Sequence, residues 1–180
     1  VRNAVARVIL VLTIKELFEW RFMQTDPNFS NFLYDDDEQR VNLIDFGACR
    51  EYDKAFVDQY LRLVWAAAND DEDTLMQISV DLGFLTGEET AEMTQAHLAT
   101  AKVVGEPFRQ NKAYAFRDRE LSKRIGKYGG TFLKYRLTPP PPEAYSLHRK
   151  LVGAFLVCIK LDAKIQCRDI LEDAFRAYKF

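Results

Sequence analysis

Asp26, Asn31 and Asp45 have the types and the spacing to do chemistry together. Asp26 and Asn31 fit D-x-x-x-x-N within "TDPNFSNF", and Asp45 opens the D-F-G that follows "VNLI". With each residue type at roughly a twentieth of the composition, the first spacing arises by chance about 0.5 times in such a chain and D-F-G about 0.02 times. Both in order, around two short hydrophobic runs, form a far more specific signal than either alone. The chemistry that suits them is phosphoryl transfer from ATP. Magnesium takes hard oxygen ligands in near-octahedral geometry and bridges phosphate oxygens. Asn31 and Asp45 would offer side-chain oxygens from two chain segments, and Asp26, just outside, would orient a hydroxyl or water and accept its proton. The competing reading sets the acids on exposed turns and gives them no common focus.

Convergence needs a frame. "FLY" and "VNLI" read as two short strands joined by the polar turn "DDDEQR", an antiparallel ribbon that brings Asn31 and Asp45 to the same end. Nothing else in the chain reads as strand. Ahead of the ribbon, residues 1–23 carry apolar side chains at helical spacing, from Val1, Val5 and Val8 to Leu12, Leu17 and Trp20, in a stripe wide enough for a largely buried helix. Pro27 ends that pattern and biases Asp26 away from helix.

The remainder reads as helical. Asp53 caps "KAFVDQYLRLVWAAAN"; "DDEDTLMQISVDLGF" starts on acids and closes at Gly83; Thr86 and Glu89 form a capping box for the next helix, which runs to Gly105. Phe108 to Phe116 reads as a loop. "RDRELSKRIGKYGGTFLKYRL" reads as helix interrupted at Gly129-Gly130, and Pro139 to Pro142 as a rigid connector. A long helix from "EAYSLHRKLVGAFLVCIKL" and a shorter last one complete the chain. The organisation is thus a buried helix (1–23), a segment with catalytic loop, ribbon and D-F-G (24–50), a helical body (53–137), and C-terminal helices after the connector (138–180).

The chain has 180 residues, 48% hydrophobic and 29% charged, the balance of a globular domain. Its formal net charge of -2 offers no electrostatic argument for nucleic acid. Cys49, Cys158 and Cys167 are odd in number and widely spaced, without C-x-x-C, which argues against a zinc site or disulfide framework. His97 and His148 stand alone in helical contexts as packing or surface residues. Trp20, Trp65, Phe155 and Tyr60 are expected in the core, and Asp35 to Glu38 at a solvated hairpin tip. Cys49 reads as a small packed residue rather than a reactive thiol, and Lys150 as part of a core-packing helix. No run reaches the ~20 apolar residues that span a bilayer. The first residue is Val inside a helical pattern, the expectation for a piece of something longer.

"TDPNFSNF", "LIDFGACREY" and "TPPPPEAYSLHRKLVGAFLVCIKL" together resemble the UbiB, or aarF-domain, family of atypical protein-kinase-like proteins, and most closely its mitochondrial members that support coenzyme Q biosynthesis. The similarity runs from about Gln24 to the end. The resemblance implies a mainly α protein-kinase-like C-lobe, with Asp26 as catalytic-loop aspartate, Asn31 and Asp45 as metal-binding and nucleotide-binding residues, and Gly47 giving the D-F-G turn its freedom. It implies ATP and Mg2+ as cofactors. Implied partners are an N-lobe of the same protein, coenzyme Q biosynthetic proteins and an inner-membrane surface on the mitochondrial matrix side. With no phosphate-covering loop, strand lysine or K-x-G-Q helix in these residues, the isolated chain is expected not to hydrolyse ATP. Gln24-Thr25-Asp26 stands where ordinary protein kinases have H-R-D, and the chain passes from Gly47 almost directly to the Asp53 helix, without a long activation loop or A-P-E. Two rival readings remain: a small-molecule phosphotransferase of the aminoglycoside or choline kinase type, and a nucleotide-binding pseudokinase scaffold.

Overall fold

A computed structural model describes the backbone of residues 1–180 and all side chains except that of Ser122. In chain order the elements are α1 (Arg2–Phe18), β1 (Phe22–Gln24), β2 (Phe32–Asp35), β3 (Arg40–Leu43), β4 (Cys49–Glu51), α2 (Lys54–Ala68), α3 (Glu72–Asp81), α4 (Ala91–Gly105), β5 (Ala113–Ala115), α5 (Leu121–Gly126), α6 (Gly129–Tyr135), α7 (Pro142–Lys160), β6 (Lys164–Gln166) and α8 (Arg168–Ala177). Helix α1 is the inner member of the bundle. Its Ala6, Ile9, Leu10, Ile14 and Leu17 are buried, and α7 and α8 pack against it. Helices α2, α3 and α4 form a second layer, where Val57, Leu61 and Val64 join the same core. Burying each such aliphatic side chain contributes about 1.5–3 kcal/mol.

Helices α2, α3 and α4 start on side-chain caps, one of them not the residue expected. Asp53 accepts from Ala55 N at 2.7 Å and Asp71 from Thr74 N at 3.1 Å, as side-chain caps do. Gly83 turns at φ +78° after α3. Thr86 and Glu89 do pair, with Glu89 Oε1 accepting from Thr86 N at 2.7 Å, but they close a turn ahead of α4. The cap itself is Thr90, which accepts from Met93 N at 3.3 Å. The last proline of the connector is the first residue of α7, a position where its missing N–H costs nothing. The break before α6 falls at Lys127 and Tyr128 rather than between the two glycines.

Two further two-stranded ribbons accompany β2–β3: β1 pairs with β4, and β5 with β6. The expectation of a single ribbon is corrected here. Each of these four strands has three residues, too few positions for a period-two pattern to emerge. Strand β5 also lies in the stretch read as loop, where Tyr114 pairs with Ile165.

His97 on α4 faces α3, its Nε2 2.8 Å from Ser79 Oγ, and burial pushes its pKa down to about 4. His148 stacks on Phe84, ring centroids 5.7 Å apart, and burial of its ring likewise lowers its pKa to about 4, with the Arg136 charge acting the same way; it also lines an open cavity. Folded His97 stays neutral while the unfolded chain takes up protons below about 6.5, so stability is full above that pH and is lost as pH falls toward 4. Thermal melts are expected to drop between pH 6.5 and 4, with His97 costing up to about 1.4 kcal/mol per pH unit. A His97→Gln variant should flatten that slope; an unchanged slope would exclude the histidine as its source.

Candidate active site

The site hangs between two nested ribbons. β2 and β3 pair from Phe32↔Leu43 to Asp35↔Arg40, and β1 and β4 from Phe22↔Glu51 to Gln24↔Cys49. Two linkers connect the inner ribbon to the outer one, residues 25–31 on the way in and 44–48 on the way out. Asp26 and Asn31 lie in the first linker, Asp45 and Gly47 in the second. Both linkers are clamped together at each end. Thr25 donates to Ala48 O from its N at 2.8 Å and its Oγ1 at 2.7 Å, and Ile44 N donates to Asn31 O at 3.0 Å.

Inside the first linker, short polar side chains fold the backbone onto themselves. Asp26 Oδ1 accepts from Asn28 N at 3.3 Å, and Asn28 Oδ1 accepts from Ser30 N at 3.1 Å, capping the single turn Phe29–Asn31. Asp26 Oδ2 accepts from Asn31 Nδ2 at 3.0 Å. A carboxylate can only accept, so the Asn31 group facing it is the NH2 and the amide oxygen is left over for another partner. Asn31 is buried, Asp26 half-buried and Asp45 exposed. Gly47 N donates to Asp45 Oδ1 at 2.8 Å, which holds the carboxylate without engaging its second oxygen.

Gly47 acts through space rather than backbone freedom. It is absent from the glycines with positive φ, but a Cβ there would stand 3.2 Å from Asp45 Oδ1 and crowd the carboxylate. Cys49, two residues along, has its thiol pKa raised by burial, so it is no activated nucleophile.

The donor set suits a magnesium ion that also holds phosphates. Such ions take one or two protein carboxylates and fill the remaining positions with water and substrate oxygens. Asn31 Oδ1 and Asp45 Oδ2 are hard oxygens without an intramolecular donor, on linkers tied by the Ile44–Asn31 bond. Among the described residues no group of three or more His, Cys, Asp or Glu gathers into a closed metal cage.

Beneath the first linker lies an ion pair that the sequence did not announce. Lys150 Nζ on α7 lies 3.2 Å from Glu16 Oε2 on α1 and donates to Gln24 Oε1 at 3.1 Å, while Gln24 N donates to Glu16 Oε1 at 3.2 Å. All three side chains are buried. Burial raises the Glu16 pKa, and the Lys150 ammonium pulls it back. Gln24 is two residues from Asp26, so the network fixes where the first linker begins. Pro27 then rests directly on Gly153 of α7. A lysine and a glycine on the apolar side of α7 were the available signals. Neither names its partner.

Trp20, expected in the core, is 52% exposed. It follows α1 and joins Phe22 and Phe46 in a surface groove beside the ribbons. Tyr60 and Phe155 are buried as expected, and Trp65 is half-buried against Phe175, ring centroids 4.2 Å apart.

The model of the ABC1 atypical kinase-like domain matches residues 1–79, which contain all of this site except its α7 supports. "Atypical kinase COQ8B, mitochondrial" of Rattus norvegicus is 47% identical over 99% of this chain and 34% of its own length. "Atypical kinase COQ8, mitochondrial" of Saccharomyces cerevisiae is 39% identical over 99% of this chain and 36% of its own length. The chain therefore spans about a third of these relatives. The structure of Rv3197 with erythromycin from Mycobacterium tuberculosis superposes with a TM-score of 0.76 at 18% identity, covering 96% of this chain and 43% of the other, so the fold is shared. A mainly α, kinase-like fold with short antiparallel ribbons is thus common ground between sequence and structure, and over 99% of its length the chain is similar to mitochondrial atypical kinases of the COQ8 type, with the ABC1 atypical kinase-like domain matched by its first 79 residues.

Proposed function

We propose that Asp26, Asn31 and Asp45 form the magnesium–nucleotide end of an ATP-dependent atypical kinase or ATPase, within a longer protein that supports coenzyme Q biosynthesis on the matrix side of the mitochondrial inner membrane. One observation carries this reading: the Asp26–Asn31 contact fixes the Asn31 side chain and leaves its amide oxygen without a donor, on a linker tied to the one that holds Asp45. A bound magnesium ion would supply charge neutralisation at the phosphate oxygens. Asn31 and Asp45 would hold it, and Gly47 N would keep Asp45 oriented. Asp26, already fixed by Asn28 and Asn31, would position the attacking hydroxyl or water and take its proton.

β4 begins two residues after Gly47, which leaves no loop for docking a peptide and favours a small or lipid-related substrate. The names of the relatives favour the atypical-kinase reading over an amino-alcohol phosphotransferase and agree with a mitochondrial setting. The longer protein would contribute an N-lobe and contacts to biosynthetic partners and to the inner-membrane surface. Among the described residues no helix is long and apolar enough to cross a membrane.

The test is Asp45→Asn in the full-length protein. Asparagine keeps an acceptor for Gly47 N but loses the charge. Magnesium-dependent nucleotide affinity is expected to fall about 10²-fold, with the melting temperature unchanged because Asp45 is exposed. Undiminished magnesium-dependent binding would overturn the assignment. Lost turnover with full nucleotide affinity in Asp26→Asn would separate an enzyme from a nucleotide-gated scaffold.

A further inference from the structure

A cavity of about 340 Å³ opens between α2, α4, α6 and α7, away from the ribbons. That volume lies at the small end of the roughly 300–1,000 Å³ typical of small-molecule sites. Its walls are apolar and aromatic, with Tyr60, Phe84, Val104 and Leu151 among them. Arg136 is the single charged residue of the lining, since His97 and His148 are held neutral. Other half-buried arginines here meet carboxylates: Arg50 meets Glu143 at 3.0 Å, Arg109 meets Asp70 at 2.8 Å and Arg168 meets Glu172 at 2.7 Å. Arg136 has none. Burial disfavours its charge, only the Tyr145 phenol acts the other way, and its guanidinium lies 4.9 Å from the Phe132 ring.

A half-buried cation without a counter-charge, on an otherwise apolar cavity, is half of an ion pair whose other half is missing. We infer that this cavity binds an amphiphilic anion, with an apolar chain or ring among Tyr60, Phe84 and Leu151 and a carboxylate or phosphate head on Arg136. The guanidinium fork would take either head bidentately. This site is separate from the magnesium–nucleotide end and stands without it.

Calorimetry on the full-length protein with dodecanoate, dodecyl phosphate and uncharged dodecanol tests the inference. Both anions are expected to bind, and dodecanol about tenfold more weakly. Whichever anion binds tighter identifies the head group. Arg136→Gln should abolish the preference for charge, and Ala101→Phe, which fills the cavity, should abolish binding of all three. Imidazole chemical shifts of His97 and His148 should move on binding and thereby locate the ligand. Binding without charge preference, a preference that survives Arg136→Gln, or no binding because another segment of the longer protein fills the cavity would each overturn it.

Discussion

Replacing Lys150 with Met is expected to cost the protein about 3–5 kcal/mol, because it leaves the Glu16 carboxylate buried without a counter-charge. The residual burden falls on Gln24, whose side-chain oxygen loses the Lys150 ammonium while its N stays on Glu16. Removing both charges, as Glu16→Leu with Lys150→Met, should recover much of the stability, since buried ion pairs are often replaceable by packed apolar groups. It should not fully recover the placement of Asp26, because Gln24 then keeps its strand pairing with Cys49 but loses both contacts to the buried network. The expected pattern is a low melting temperature for Lys150→Met, a higher one for the double variant, and impaired turnover in both. Equal melting temperatures for wild type and Lys150→Met would show that the pair contributes no net stability. Full turnover in the double variant would show that the network does not position the linker.

Gly153→Ala should do its damage directly at Pro27. A Cβ at position 153 would lie 2.0 Å from Pro27 Cβ and 2.7 Å from its Cγ, and a pyrrolidine ring cannot swing aside as a long side chain does. The linker must lift off α7, carrying the neighbouring Asp26 with it. Overpacking of this kind costs about 1–3 kcal/mol, and a shift of about 1 Å at a reacting group can cost about 10²-fold in rate. Turnover by the full-length protein should fall more steeply than magnesium–nucleotide affinity, because Asn31 and Asp45 are held by the ribbons and Asp26 is held through Pro27. Pro27→Gly in the same chain removes the clashing atoms and should restore part of the melting temperature. Wild-type turnover and stability in Gly153→Ala would mean that the close approach does not matter.

The parts legible in the sequence share one property: their determinants are local. The ribbon β2–β3 is written in two apolar runs around an acidic turn, and the cap at Asp53 sits next to the N–H group it satisfies. The D-x-x-x-x-N and D-F-G spacings are likewise short, so Asp26, Asn31 and Asp45 could be assigned chemistry before any coordinates. The errors came from signals of similar local strength. Thr86 and Glu89 make the expected pair but cap a turn, because Thr90 lies closer to the helix they were read as starting. Trp20 fits the apolar stripe of α1 yet falls beyond the helix end, where the stripe no longer has a core to face.

Residue types and short spacings by themselves determined the α-rich class and the inner ribbon, and singled out the three oxygen-bearing side chains on which the proposal rests. Tertiary structure alone decided what holds those side chains in place. The outer ribbon pairs residues from either end of the linkers, Lys150 reaches Glu16 across two helices, and Gly153 admits Pro27. It also decided that Arg136 faces an apolar cavity without a partner. Burial and long-range pairing depend on which distant segments meet, and desolvation fixes the worth of a charge only once they have met. A lysine in an apolar helix is therefore ambiguous as a letter and decisive as a neighbour.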